Sequence, residues 1–124
     1  VLDKYNCDKR IYITGFVEDK HLSGIYKNAL CFVFPSLYEG FGLPPVEALS
    51  LGTPVISSDA ASLPEVLMEQ ATYFKNNSKE ELKNILLNLE KNIKSMADGL
   101  NEKQLREYNF ETSAKKILDI IKQH

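Results

Sequence analysis

The sequence predicts an α/β fold, a partial Rossmann-like parallel sheet with flanking helices, followed by C-terminal helices. Three observations carry that prediction. Short strand-like runs alternate with helical patterns from residue 10 to residue 75, the signature of a parallel sheet with helical crossovers. Two of the runs, "CFVFPS" (31–36) and "PVISS" (54–58), lack the apolar–polar alternation of a half-solvated strand, as expected for strands covered on both faces. The connection "YEGFGLPPVEALSLG" (38–52), rich in glycine and proline, leads from one such run directly into a helical pattern.

The elements follow in order. "RIYITG" (10–15) is β-rich and closed by Gly15, a strand followed by a loop. Asp19 suits the N-cap of a helix whose apolar residues Leu22, Ile25, Tyr26, Ala29 and Leu30 share one face. "CFVFPS" is a buried strand stopped by Pro35 and Ser36. Pro44 and Pro45 suit a helix start, because first-turn N–H groups have no intrahelical partner to lose. Gly52 supplies the left-handed stop of that helix. "PVISS" is a third strand, "SLPEVLMEQ" (62–70) a short helix and "ATYFK" (71–75) a short edge strand. Ser78 and Glu81 have capping-box spacing ahead of Leu82, Ile85, Leu86 and Leu89, an amphipathic helix. Helical patterns continue through "NIKSMADGLNEKQLREY" (92–108) to a last helix carrying Ala114, Ile117, Leu118 and Ile121.

Composition bounds the function. A chain of 124 residues fits one domain, and 44% hydrophobic with 26% charged residues excludes a disordered polymer. A net charge of −2 provides no field for nucleic acid, so no nucleic-acid partner is expected. Cys7 and Cys31 make neither a disulfide framework nor a metal-ligand spacing, and they point to a reducing, cytosolic compartment. The longest apolar run falls short of the roughly 20 residues that span a bilayer. The chain opens without methionine and reaches a strand-like run at once, so it reads as part of a longer protein.

In open parallel sheets, ligands bind beyond the carboxyl ends of the strands, where residues 36–45 lie. Gly40 and Gly42 permit close backbone approach, and the amides of Gly40, Phe41, Gly42 and Leu43 are the donors ahead of the helix. Donors at that place suit a phosphate. A plain strand-to-helix connection explains the same glycines and prolines. A dinucleotide fingerprint G-x-G-x-x-G is not met, since Pro45 stands in the third glycine position. Glu39 precedes the first glycine, outside the helix, where its carboxylate faces the strand ends. Glu47 is read in the first helical turn, where an acid gains about 0.3–1 kcal/mol from the helix dipole. The same carboxylate could instead accept two hydrogen bonds from a ribose diol. Phosphate donors between two hydroxyl-reading carboxylates describe a nucleotide-sugar pocket.

Glu39 and Glu47, with seven residues between them in "EGFGLPPVE", resemble the E-x7-E motif of retaining GT-B glycosyltransferases of the GT4-like type, the glycosyl transferases group 1 family. "EALSLGTPVISSDAASLPEV", "ITGFVEDKHLSGIYKNALCFVFPS" and "YNFETSAKKILDII" resemble further stretches of that family in the same order, over nearly the whole chain. The resemblance implies that residues 1–124 are the C-terminal part of a nucleotide-sugar-binding domain, a donor-binding fragment. It implies that Glu47 accepts hydrogen bonds from the nucleotide ribose and that Glu39, the catalytic candidate, reads the transferred sugar. Amides from Gly40 to Leu43 then hold the sugar and diphosphate, and Phe16 and Val17 lie near the base. The substrate is an NDP-sugar of UDP or GDP type, with no metal or other cofactor, in keeping with the lack of any D-x-D.

By the same resemblance, an N-terminal acceptor domain, the first strands of this domain and an Arg/Lys pair that clamps the diphosphate lie outside this sequence. The chain alone is expected to be inactive. In the family's 3-2-1-4-5-6 order, "RIYITG" is strand 3 and "CFVFPS" strand 4, which leaves a gap. That gap favours a strand-exchanged or edge-paired oligomer. The acceptor is a glycan or lipid-linked glycan in polysaccharide biosynthesis, at the cytoplasmic side with peripheral membrane association. A non-catalytic nucleotide or sugar-phosphate binding module shares the anion site, and a GT-B sugar epimerase shares the fold. Ser/His/Asp hydrolysis has no support, because G-x-S-x-G is absent and neither His21 nor His124 is near a nucleophile elbow.

Overall fold

The computed structural model describes residues 10–89, and the helices expected over 92–108 and 114–121 lie outside that range. The elements run α1 (Asp19–Asn28), β1 (Phe32–Phe34), α2 (Leu43–Ser50), β2 (Val55–Ser58), α3 (Leu63–Leu67) with a 3₁₀ turn (Met68–Gln70), β3 (Ala71–Phe74) and α4 (Lys79–Leu87). The three strands form one parallel sheet in the order β1-β2-β3. The register pairs Phe32 with Val55 and Val55 with Ala71. The expected α/β parallel sheet with flanking helices is therefore present.

Burial explains the missing alternation. Every residue of the central strand β2, from Val55 to Ser58, is buried, so both of its faces are covered. Successive side chains of a strand point to opposite faces. Val55 joins the main core with Tyr26, Ala48, Leu49, Ala60, Leu63, Val66 and Leu67, whereas Ile56 is buried outside that cluster. Tyr26 meets Phe32 edge-on at 5.2 Å between ring centres, which locks α1 against β1. The buried Thr53 hydroxyl donates to the Tyr26 carbonyl at 2.8 Å and ties the end of α1 to the approach to β2.

Four expectations are corrected. "RIYITG" forms no strand. A strand is held by ladder hydrogen bonds, and none of β1, β2 or β3 runs beside residues 10–15. Ile11, Tyr12 and Ile13 are instead exposed. Asp19 is the first helical residue of α1, the N-cap position falls on Glu18, and no side chain caps it. On α1, Tyr26 is buried and Leu22 packs on the core, but Ile25 is exposed, and Leu30 lies beyond the end of the helix and is exposed as well. The Ser78–Glu81 capping box is half formed. Ser78 Oγ accepts from the Glu81 amide at 3.3 Å, while the Glu81 carboxylate accepts from the Lys75 N–H at 2.7 Å instead of the Ser78 N–H. The Ser78 N–H is taken by the Lys75 carbonyl, which closes the turn ahead of α4.

Candidate functional site

The carboxyl ends of the three parallel strands lie side by side, and short polar residues stitch their loops together. After β1, Ser36 Oγ donates to the Glu39 carboxylate at 3.0 Å. From β2, Ser58 Oγ donates to the Ser36 carbonyl. Past β2, Asp59 donates its N–H to the Phe74 carbonyl at 3.0 Å and accepts the Asn76 N–H on Oδ1 at 2.6 Å. Asn76 Nδ2 reaches the Leu37 carbonyl at 3.3 Å. Ser62 Oγ lies 3.1 Å from the Glu39 carbonyl oxygen and 2.8 Å from that of Gly40. Loops separated in sequence thus brace the glycine segment. Glu39 and Gly40 are expected site residues, whereas Ser36, Ser58, Asp59, Ser62 and Asn76, which hold them, belong to no site motif in the sequence. The signal was legible in hindsight as "PS", "SSD" and "NNS", the polar groups at the ends of the three strands.

The two glycines play different parts. Gly42 is buried and adopts φ +79°, and a Cβ there would stand 2.6 Å from Leu63 Cδ2. Its glycine serves the turn into α2 and the packing of α3. Around Gly40 a Cβ would meet nothing within 4 Å, so this exposed position leaves room for a ligand. Phe41 and Leu43 stand partly out in solvent on either side of Gly42.

Glu47 is the fifth residue of α2, beyond its first turn, which holds no acid. The helix begins at Leu43, one residue before the prolines, and this moves Glu47 out of the dipole-stabilised turn. The Glu47 side chain is exposed and lines a groove of about 390 Å³ between α1 and α2, with Asp19, Leu22, Ser23 and Tyr26. Burial, and secondly the Glu47 charge, hold the Tyr26 phenol above the ordinary tyrosine value. Glu39 does not line this groove. The two glutamates therefore occupy distinct stations, one at the strand ends and one between helices.

Phe16 and Val17 precede α1, whose first turns form one wall of the groove. Phe16 is 91% exposed and no part of the core. Tyr38 is 81% exposed and is likewise no part of the core. His21 lies on the surface of α1. Among the described residues no cluster of His, Cys, Asp or Glu has the arrangement of a metal site.

The sequence profile described as "Glycosyl transferases group 1" matches residues 2–117. The chain belongs to this family. Among the group 1 relatives, the chain is 33% identical over 106 residues to the serotype-specific mannosyltransferase WbdA of Escherichia coli, covering 86% of this chain and 12% of that protein. It is 55% identical over 53 residues to O-antigen chain mannosyltransferase B of Escherichia coli, covering 43% of this chain and 14% of the relative. O-antigen chain mannosyltransferase RfbU of Salmonella typhimurium is 35% identical over 85 residues, covering 68% of this chain and 23% of the relative. The match thus spans less than a quarter of the length of each of these group 1 proteins.

Proposed function

We propose that this chain forms the donor site of a retaining glycosyltransferase of GT-B architecture, which moves a sugar from an NDP-sugar to a glycan or lipid-linked acceptor. The observation that carries the reading is the loop after β1. It presents an open Gly40 next to a Glu39 carboxylate held by Ser36, and it leads into the helix that carries Glu47 at a groove. In transfer, the bond between the anomeric carbon and the diphosphate oxygen breaks and negative charge builds on the leaving diphosphate. Amides of residues 40–43, from the glycine segment to the first residue of α2, stabilise that charge without reorganising. Glu39 orients the sugar hydroxyls and Glu47 accepts hydrogen bonds from the ribose. Phe16 and Val17 stand near the base.

The names of the relatives make a mannosyl donor the first to test and polysaccharide assembly the first context. Among the described residues no helix is long and apolar enough to cross a membrane. The reading places the enzyme at the cytoplasmic face of a membrane, bound peripherally if at all. An edge-paired or strand-exchanged oligomer through the edge of β1 that faces no other described strand belongs to the same proposal. Light scattering after size-exclusion chromatography checks it, and a monomer at high concentration would remove it.

Saturation-transfer NMR of the natural full-length protein with UDP, GDP, GDP-mannose and UDP-glucose tests the donor site, with Glu47→Ala alongside. The expected result is binding of one nucleotide series that weakens in the variant. No binding of any of the four would remove the donor-site reading. Binding without sugar transfer to any glycan acceptor would instead favour a nucleotide-binding module.

A further inference from the structure

Ser62 sits at the N-cap of α3, where a serine oxygen ordinarily accepts a hydrogen bond from the second or third helical N–H. It makes no such bond. Pro64 occupies the second helical position and has no N–H to give. The hydroxyl is turned the other way and acts as a donor, shared between the carbonyl oxygens of Glu39 and Gly40 at 3.1 and 2.8 Å. Two successive carbonyls of the glycine segment thus converge on one side chain contributed by the loop after β2.

That convergence fixes more than the carbonyls. In a trans peptide the C=O and N–H of one plane point in opposite directions. The Glu39 carbonyl shares its plane with the Gly40 N–H, and the Gly40 carbonyl shares its plane with the Phe41 N–H. Drawing both oxygens toward Ser62 turns both N–H vectors away from α3. The Gly40 N–H has no acceptor among the described residues, and the space where a Gly40 Cβ would stand is open. A donor held outward before any ligand arrives costs no reorganisation when an anion binds.

We propose that Ser62 is a positioning residue of the donor site, setting the Gly40 amide as an oriented donor for the diphosphate of the nucleotide sugar. The inference rests on the donor-site reading above and adds a residue to it that touches no substrate. Without the hydroxyl, the two peptide planes lose their common anchor, and either carbonyl can rotate to face the anion and repel it. The effect falls on the phosphates and leaves the nucleoside contacts alone.

The test separates those two parts of the ligand. In the natural full-length protein, Ser62→Ala and Ser62→Thr are titrated by NMR or calorimetry with guanosine, GDP, uridine and UDP. Ser62→Ala is expected to lower affinity for the bound nucleoside diphosphate about tenfold, leave the parent nucleoside unchanged, and be rescued by Ser62→Thr. In ¹⁵N-labelled protein, the shift of the Gly40 amide on adding inorganic pyrophosphate is expected to shrink in Ser62→Ala and return in Ser62→Thr. Equal losses for nucleoside and diphosphate would show a merely structural serine and overturn the inference. Unchanged diphosphate binding in Ser62→Ala would overturn it as well while leaving the donor site standing. Failure of the wild-type protein to bind any of the four compounds would remove the donor site and the role of Ser62 with it.

Discussion

Exchange of Gly42 for alanine tests whether the glycine segment is built for folding at one position and for a ligand at the other. At φ +79° and ψ 56°, Gly42 is left-handed, a conformation that costs an L-residue about 1–2 kcal/mol. The added methyl would also stand 2.6 Å from Leu63 Cδ2. Leu63 is 0% exposed and packed within the main core, so it cannot swing aside, and overpacking adds about 1–3 kcal/mol. The sum, about 2–5 kcal/mol, is a large share of the roughly 5–15 kcal/mol that holds a domain folded. Urea unfolding followed by circular dichroism should show a lower midpoint at unchanged slope. In a Leu63→Ala background the clashing atom is gone, so the same exchange should cost only the conformational part, about 1–2 kcal/mol. Gly40→Ala is the control, since its methyl meets nothing; stability should stay within about 0.5 kcal/mol while nucleotide binding weakens. A Gly42→Ala protein as stable as wild type, or one whose loss is the same with and without Leu63, would refute the reasoning.

Other consequences can be checked on the same protein. Glu47→Gln should leave the unfolding free energy from urea titration within about 0.5 kcal/mol of wild type, because the side chain is exposed and lies beyond the first turn of α2. Nucleotide affinity measured by calorimetry should nevertheless fall about tenfold through loss of a charged acceptor, and an unchanged affinity would speak against the ribose role. Thr53→Val removes a buried donor while the Tyr26 carbonyl keeps the Ala29 N–H, so it should cost about 0.5–1.5 kcal/mol in denaturant unfolding, the net worth of one hydrogen bond. Burial holds the Cys31 thiol and, with the Glu47 charge, the Tyr26 phenol above their ordinary values of 9.0 and 10.0. The folded chain therefore keeps these protons when the unfolded chain has begun to lose them. That contribution to stability is whole below the ordinary values and is lost as pH rises through the folded ones. Urea midpoints should accordingly fall on the alkaline side of these values, and Tyr26→Phe should flatten the upper part of the fall.

Much of this fold was legible because its signals are local. β1, β2 and β3 fall inside the runs read for them, and the apolar run of β2 is buried throughout. β1, also expected to be buried, is only half-buried because β2 is its one neighbour among the described strands. Prolines at the head of α2 and Gly52 at its end, with φ +79°, act through their own backbones. Misreadings arose where a partner decides. "RIYITG" has every local mark of a strand, yet a ladder needs a second strand alongside. Glu81 has capping-box spacing, yet its carboxylate went to the Lys75 amide that the turn had brought within reach. Glu47 moved out of the first turn by the choice of where α2 begins, a boundary of a residue or two that pattern alone does not hold.

By itself, then, the sequence determined the α/β class, the three parallel strands, the position of the glycine segment at their carboxyl ends, and the family. Each of these depends on residue types within a few positions of one another. Only the tertiary structure decided which glycine is open and which is packed, because the answer for Gly42 is Leu63, brought over by the β2 connection. It also decided that Ser62 gives its hydrogen bond to Glu39 and Gly40 rather than to its own helix. A hydroxyl bonds whatever acceptor the fold carries within about 3 Å, and that distance is a property of the packed chain.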